Sequence, residues 1–68
     1  MDEETFNKSV RSFLKKVGIT SQREIEKAVW DRVDDGRLEG NEKLPASVVL
    51  RVPGLDVEVT IEDDLRLE

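Results

Sequence analysis

The stretch Lys15-Lys16-Val17-Gly18-Ile19-Thr20-Ser21-Gln22-Arg23-Glu24-Ile25 constrains the fold more than any other part of this chain. It carries signals for one helix to stop and for a second to start. Gly18 is free to take the left-handed conformation that closes a helix at C′, and Lys15 and Lys16 put positive charge where a helix C-terminus favours it. Ser21 and Glu24 have the spacing of a capping box, in which each side chain accepts from a backbone N–H that a new helix leaves unpaired. Together these residues predict two helices joined by a tight turn.

The apolar pattern on either side supports the same division. Phe6, Val10, Phe13, Leu14 and Val17 recur at helical spacing and predict one amphipathic helix over about residues 3 to 16. Asp2, Glu3 and Glu4 at its start complement the dipole. Ile25, Ala28, Val29 and Val33 predict a second helix over about 21 to 35, with Gly36 as its C′ residue and Leu38 folding back on the last turn.

From residue 47 the period changes to two. Val48, Leu50 and Val52 alternate with Val49 and Arg51, and Leu55, Val57, Val59 and Ile61 alternate with Asp56, Glu58, Thr60 and Glu62. A hairpin turning at Pro53-Gly54 pairs Val52 with Leu55, Leu50 with Val57 and Val48 with Val59, which gathers the apolar side chains on one face. Leu65 and Leu67 predict a short third strand on that same face, after a three-residue loop at Glu62-Asp63-Asp64. The segment Leu38 to Pro45 is polar, contains Gly40 and Asn41, and reads as a structured loop.

The expected architecture is a single small α+β domain over residues 1–68. It is a two-helix, helix-turn-helix-like hairpin packed on a small antiparallel β-hairpin or three-stranded meander. Helix, turn, helix and hairpin is the order of a winged-helix reader. A chain of 68 residues sits near the lower limit for folding alone, and neither a lone hairpin nor a short helix is stable by itself in water.

Composition removes several chemistries. There is no Cys and no His, which excludes thiolate or imidazole metal sites and Ser-His or Cys-His nucleophilic catalysis. No glycine-rich phosphate loop is present, since Gly18, Gly36, Gly40 and Gly54 are widely separated. The clusters Glu62-Asp63-Asp64 and Asp31, Asp34, Asp35 lack calcium-loop spacing and read as solvated charge. The expectation is therefore no enzymatic activity, no cofactor and no metal. The acidic N-terminus has no apolar run behind it, and no segment approaches the roughly 20 apolar residues that cross a bilayer. The expected setting is the cytoplasm.

Charged residues make up 40% of the chain, for a net of −5. Residues 1–20 carry +1, residues 21–37 carry −1 and residues 38–68 carry −5. This asymmetry bears on the winged-helix reading. In its favour, Lys8, Arg11 and Lys15 form a basic row opposite the apolar face of the first helix. Arg23, Lys27 and Trp30 stand at i, i+4 and i+7 on an edge of the second, and basic side chains beside an aromatic suit phosphates and bases. Against it, Glu24, Glu26, Asp31, Asp34 and Asp35 are interleaved on the second helix. The expected wing presents Asp56, Glu58, Glu62, Asp63 and Asp64, a row that nucleic acid would repel. Nucleic acid is thus the disfavoured partner.

Trp30 has two readings: shielding the edge of the core, which its neighbours Val29 and Val33 favour, or anchoring a protein partner. Arg23, Lys27 and Trp30 are the candidate partner-binding residues. The leading reading is an accessory or protein-interaction module that binds an unknown protein or a second copy of itself, using an exposed sheet edge at Ser47–Val52 or Leu65–Leu67.

The chain also resembles, over nearly its full length, a family of short bacterial proteins of unknown function. The resemblance rests on Phe13-Leu14-Lys15-Lys16-Val17-Gly18-Ile19-Thr20-Ser21-Gln22-Arg23-Glu24-Ile25-Glu26-Lys27-Ala28-Val29 and on Gly36-Arg37-Leu38-Glu39-Gly40-Asn41-Glu42. It implies a bacterial, cytoplasmic, self-contained domain, and brings with it no activity, cofactor or site residue.

Overall fold

The computed structural model describes Met1–Glu68 and contains one helix and one hairpin. Helix α1 spans Glu3–Asp34, strand β1 spans Lys43–Val52, a 3-10 turn spans Pro53–Leu55, and strand β2 spans Val57–Arg66. The chain divides into two compact units, Met1–Arg37 and Leu38–Glu68.

The two-helix expectation is overturned: α1 runs without interruption through Lys15–Ile25. Gly18 keeps a helical conformation, and the left-handed glycines are Gly36 and Gly40. The reason lies in backbone hydrogen bonds. A break would leave four N–H and four C=O groups unpaired, and the box Ser21–Glu24 would satisfy only part of them. Continuing the helix satisfies all of them, at a cost of about 1 kcal/mol for glycine in place of alanine at position 18. Gln22 adds to the continuous helix by donating from Nε2 to Glu26 Oε1 at 2.7 Å, one turn on. With no turn at Gly18 there is no helix-turn-helix and no winged-helix-like arrangement.

Both predicted ends of the helical region are where the residues place them. Asp2 is the N-cap, its Oδ1 accepting from Thr5 N–H at 3.1 Å, with Glu3 and Glu4 in the first turn. That bond holds the Asp2 carboxyl below its usual range. At the other end the Gly36 N–H donates to Val33 O at 3.2 Å and the Arg37 N–H to Arg32 O at 2.8 Å. These two bonds are the Schellman closure, and they require Gly36 at φ 81°. An alanine there meets no neighbouring atom but is forced into the left-handed region. Gly36→Ala is therefore expected to destabilise the helix end by about 1–2 kcal/mol, read as a lower urea midpoint at 222 nm.

The sheet has two strands rather than three, in the order β1-β2. Pairing runs from Val52↔Val57 through Leu50↔Val59 and Val48↔Ile61 to Leu44↔Leu65 and Lys43↔Arg66. This register is two residues away from the expected one. A two-residue hairpin turn needs a positive φ at its first position, which proline cannot adopt. Pro53 instead opens a 3-10 turn closed by Asp56 N–H donating to Pro53 O at 3.2 Å, with Asp56 left-handed at φ 53°. Aspartate is among the few residues that tolerate that region. A shift of two preserves the faces, so Val48, Leu50, Val52, Val57, Val59 and Ile61 still share one side.

The third strand is also overturned. Glu62-Asp63-Asp64 does not turn but continues β2, because β1 begins at Lys43 and supplies Ser47, Ala46 and Pro45 as ladder partners. Leu44 and Pro45, expected in a loop, are therefore strand residues. The ladder is extended once more by Leu67 N–H donating to Glu42 O at 3.0 Å. No side chain in either unit is buried.

Candidate interaction surface

Within the second unit, the segment that leads into β1 is organised by one carboxylate. Glu42 accepts from the backbone N–H groups of Glu39 at 2.8 Å, Gly40 at 2.9 Å and Asn41 at 3.1 Å. Gly40 takes φ 103° to let the three converge. Bonding to the charged form holds the Glu42 carboxyl below its usual range, the Glu39 N–H contributing most. A depressed carboxylate orders the loop at pH above its unfolded-state value and loses that contribution as pH falls through the folded one. The Gly40 and Asn41 amide resonances are accordingly expected to hold their shifts from neutral pH down to the ordinary glutamate range and to move together below it.

Asp35 plays a similar local part after the helix. Its carboxylate accepts from Arg37 Nε at 2.8 Å and Arg37 N at 3.1 Å, and Arg37 Nη2 lies 2.7 Å from Oδ2. The Arg37 side chain lowers the Asp35 pKa. The remaining ion pairs are exposed: Lys8 with Glu4, Lys43 with Asp64 and Arg51 with Glu58. Such pairs add little stability. No group of three or more His, Cys, Asp or Glu side chains could hold a metal ion. Glu62, Asp63 and Asp64 alternate across the strand, which disperses their charge.

What the two units do present is apolar surface. On α1, Phe6 and Phe13 are each 50% exposed and Leu14 is 53% exposed, with Val10 beside them. The seam continues through Val17, Ser21, Ile25 and Ala28, so that Phe6/Val17/Ala28, Val10/Ser21/Arg32 and Leu14/Ile25 each repeat at eleven residues. An eleven-residue repeat corresponds to about 3.67 residues per turn, so the stripe runs nearly straight along the helix. Phe13, Lys16, Val17, Thr20 and Ser21 line a shallow depression on it. Val29 and Val33 sit roughly a third of a turn away at about 100° per residue, which explains how one helix shows two apolar stripes. On the hairpin, Val48, Val59 and Ile61 leave about half of one sheet face in water.

The three residues singled out from the sequence fall together. Arg23, Lys27 and Trp30 are neighbours on one exposed face of α1, on the side away from the seam, since i, i+4 and i+7 align on any helix. Trp30 is 64% exposed, which leaves the indole available as an anchor. The larger surface is the apolar seam itself, which a two-helix division cuts in half; its signal in the sequence is the eleven-residue repeat, which spans Lys15–Ile25.

The protein is thus defined as a capped amphipathic helix followed by a β-hairpin, each presenting partly exposed apolar side chains. No helix is long and apolar enough to cross a membrane. All of residues 1–68 match the model of a family described as "Family of unknown function (DUF6494)", and the chain belongs to that family. No curated protein and no solved structure matches it.

Proposed function

We propose that this chain is a cytoplasmic, non-catalytic protein-interaction module that works through the exposed faces of α1. The observation that carries the reading is the uncovered seam: Phe6, Phe13 and Leu14 each keep about half their surface in water. Large side chains aligned in this way mark a protein contact surface rather than ordinary surface scatter. The Arg23, Lys27 and Trp30 face offers a second, chemically different contact, with an aromatic anchor beside two cations, of the kind enriched in interface hot spots.

The test is capture of partners by the tagged full chain from a lysate of its source, with and without nuclease, beside a chain carrying Trp30→Ala and Leu14→Asp. A protein retained by the native chain, lost by the variant and indifferent to nuclease supports the module. Material lost on nuclease treatment would point instead to nucleic acid. The row Lys8, Arg11 and Lys15 and the Arg23, Lys27 and Trp30 face support that alternative, and in the first of them Lys8 is already engaged by Glu4 at 3.4 Å.

A further inference from the structure

We infer that the occupant of the α1 seam is the same seam of a second copy of this chain, running antiparallel and crossing near Ser21. The inference rests on the interaction-module reading and says which partner the seam takes.

Size complementarity along the stripe argues for a second copy. Its N-terminal half is built of large side chains, Phe6, Val10, Phe13, Leu14 and Val17, its centre is the small Ser21, and its C-terminal half holds Ile25 and the small Ala28. Such a stripe complements itself head to tail. In an antiparallel pair centred on Ser21, Leu14 lies over Ala28, Val17 beside Ile25, and Val10 against Arg32. The Arg32 head is turned back onto its own helix, donating to Ala28 O at 2.9 Å, which leaves the aliphatic stem on the seam. A parallel pair would set Phe13 on Phe13 and Ala28 on Ala28, crowding one end and opening the other.

The surface of the helix has the matching shape. Phe13, Lys16, Val17 and Thr20, which line the depression, stand at i, i+3, i+4 and i+7. Those are the four corners of a hole that receives a knob from a facing helix. With the crossing at Ser21, the knob delivered to this hole is Ile25 of the second copy, and symmetry returns the favour. Ser21 and Gly18 are small enough to let the two backbones approach at the centre.

Charge points the same way. Residues 8–16 carry Lys8, Arg11, Lys15 and Lys16 with no acidic residue. A parallel pair stacks this segment on itself, whereas the antiparallel pair lays it alongside 26–34, which holds Glu26, Asp31 and Asp34 against Lys27 and Arg32. The area is that of a small interface: Val10, Phe13, Leu14 and Ile25, the exposed seam side chains inside the overlap, leave on the order of 300 Å² of apolar surface, and flanking stems add to it towards the roughly 800 Å² per partner of a standard interface. Trp30, Arg23 and Lys27 remain on the outer face.

The test is the mass of the full chain in solution together with oxidative cross-linking. The chain has no cysteine, so Val17→Cys and Ile25→Cys introduce unique thiols, and copper-phenanthroline with oxygen serves as the oxidant. Both changes keep the helix side chains small and apolar, and circular dichroism checks that each variant folds. The expected result is a mass of two chains and a mixed Val17→Cys/Ile25→Cys disulfide formed about tenfold more than either self-disulfide, because the two position-17 sulfurs lie about 12 Å apart along the axis, beyond disulfide reach. Self-disulfides at position 17 would mean a parallel pair and overturn the antiparallel arrangement alone. A single-chain mass at every concentration, with the seam amides unprotected from hydrogen exchange, overturns the second copy but leaves the module reading for another partner. A single-chain mass with those amides protected overturns both.

Discussion

Replacing Leu14 with aspartate is expected to raise the dissociation constant for self-association by at least about a hundredfold, close to 3 kcal/mol. Leu14 stands at 53% exposure in one chain and is the largest side chain placed over Ala28 in the pair. A carboxylate there would be taken out of water with no partner, and the two-fold axis brings the loss twice. Helix content should fall with it, since most of a helix's stability in a protein comes from packing its apolar face. Sedimentation equilibrium gives the mass and ellipticity at 222 nm gives the helix. Lys15→Asp, one residue on but facing outward, is the control and should leave the mass unchanged. If Leu14→Asp leaves it unchanged too, the seam is not the contact.

Trp30→Ala is expected to do the opposite: to leave stability within about 0.5 kcal/mol while weakening a captured protein partner by about 2 kcal/mol, or roughly thirtyfold. The separation follows from where Trp30 sits. At 64% exposure it contributes little to holding either unit together, yet it is the one side chain on the Arg23 and Lys27 face large enough to fill a pocket. Calorimetric titration of the captured partner gives the affinity, and urea unfolding gives the stability. An affinity loss matched by an equal stability loss would make Trp30 a structural residue. Salt separates its neighbours from it: the Arg23 and Lys27 contributions should fade at high ionic strength, and the indole's should persist.

The two predictions act on opposite faces of α1, and those faces were legible to different degrees. Arg23, Lys27 and Trp30 could be grouped from spacing alone, because i, i+4 and i+7 coincide on any helix that contains them. Their exposure could not be read, since Val29 and Val33 beside Trp30 suggest a covered edge. The seam was half read. Phe6 to Val17 was recognised as one apolar face, but its continuation through Ser21 to Ala28 lay across residues that resemble a turn. Gly18, Ser21 and Glu24 are real stop and start signals, and here they are outweighed by eight backbone groups that an unbroken helix satisfies.

Periodicity and local backbone chemistry determined a good deal by themselves. They set the helix start at Asp2, its Schellman end at Gly36, the strand character from residue 47 and the division of the hairpin into an apolar and a wet face. Each of these depends on residues within a turn or two of one another, where the physics is short-ranged. Only the tertiary structure decided that the two helical segments are one, that the hairpin closes through Pro53–Asp56 two residues out of the expected register, and that Glu62-Asp63-Asp64 stays in β2. Those outcomes depend on competition between whole sets of hydrogen bonds. Pro53 forbids the tighter turn, Lys43–Pro45 offers the acidic run a strand to pair with, and an uninterrupted α1 leaves no backbone group unpaired around Gly18. Pro53 aside, no single residue announces the winner, because the winning state is the one in which the fewest backbone groups go unpaired.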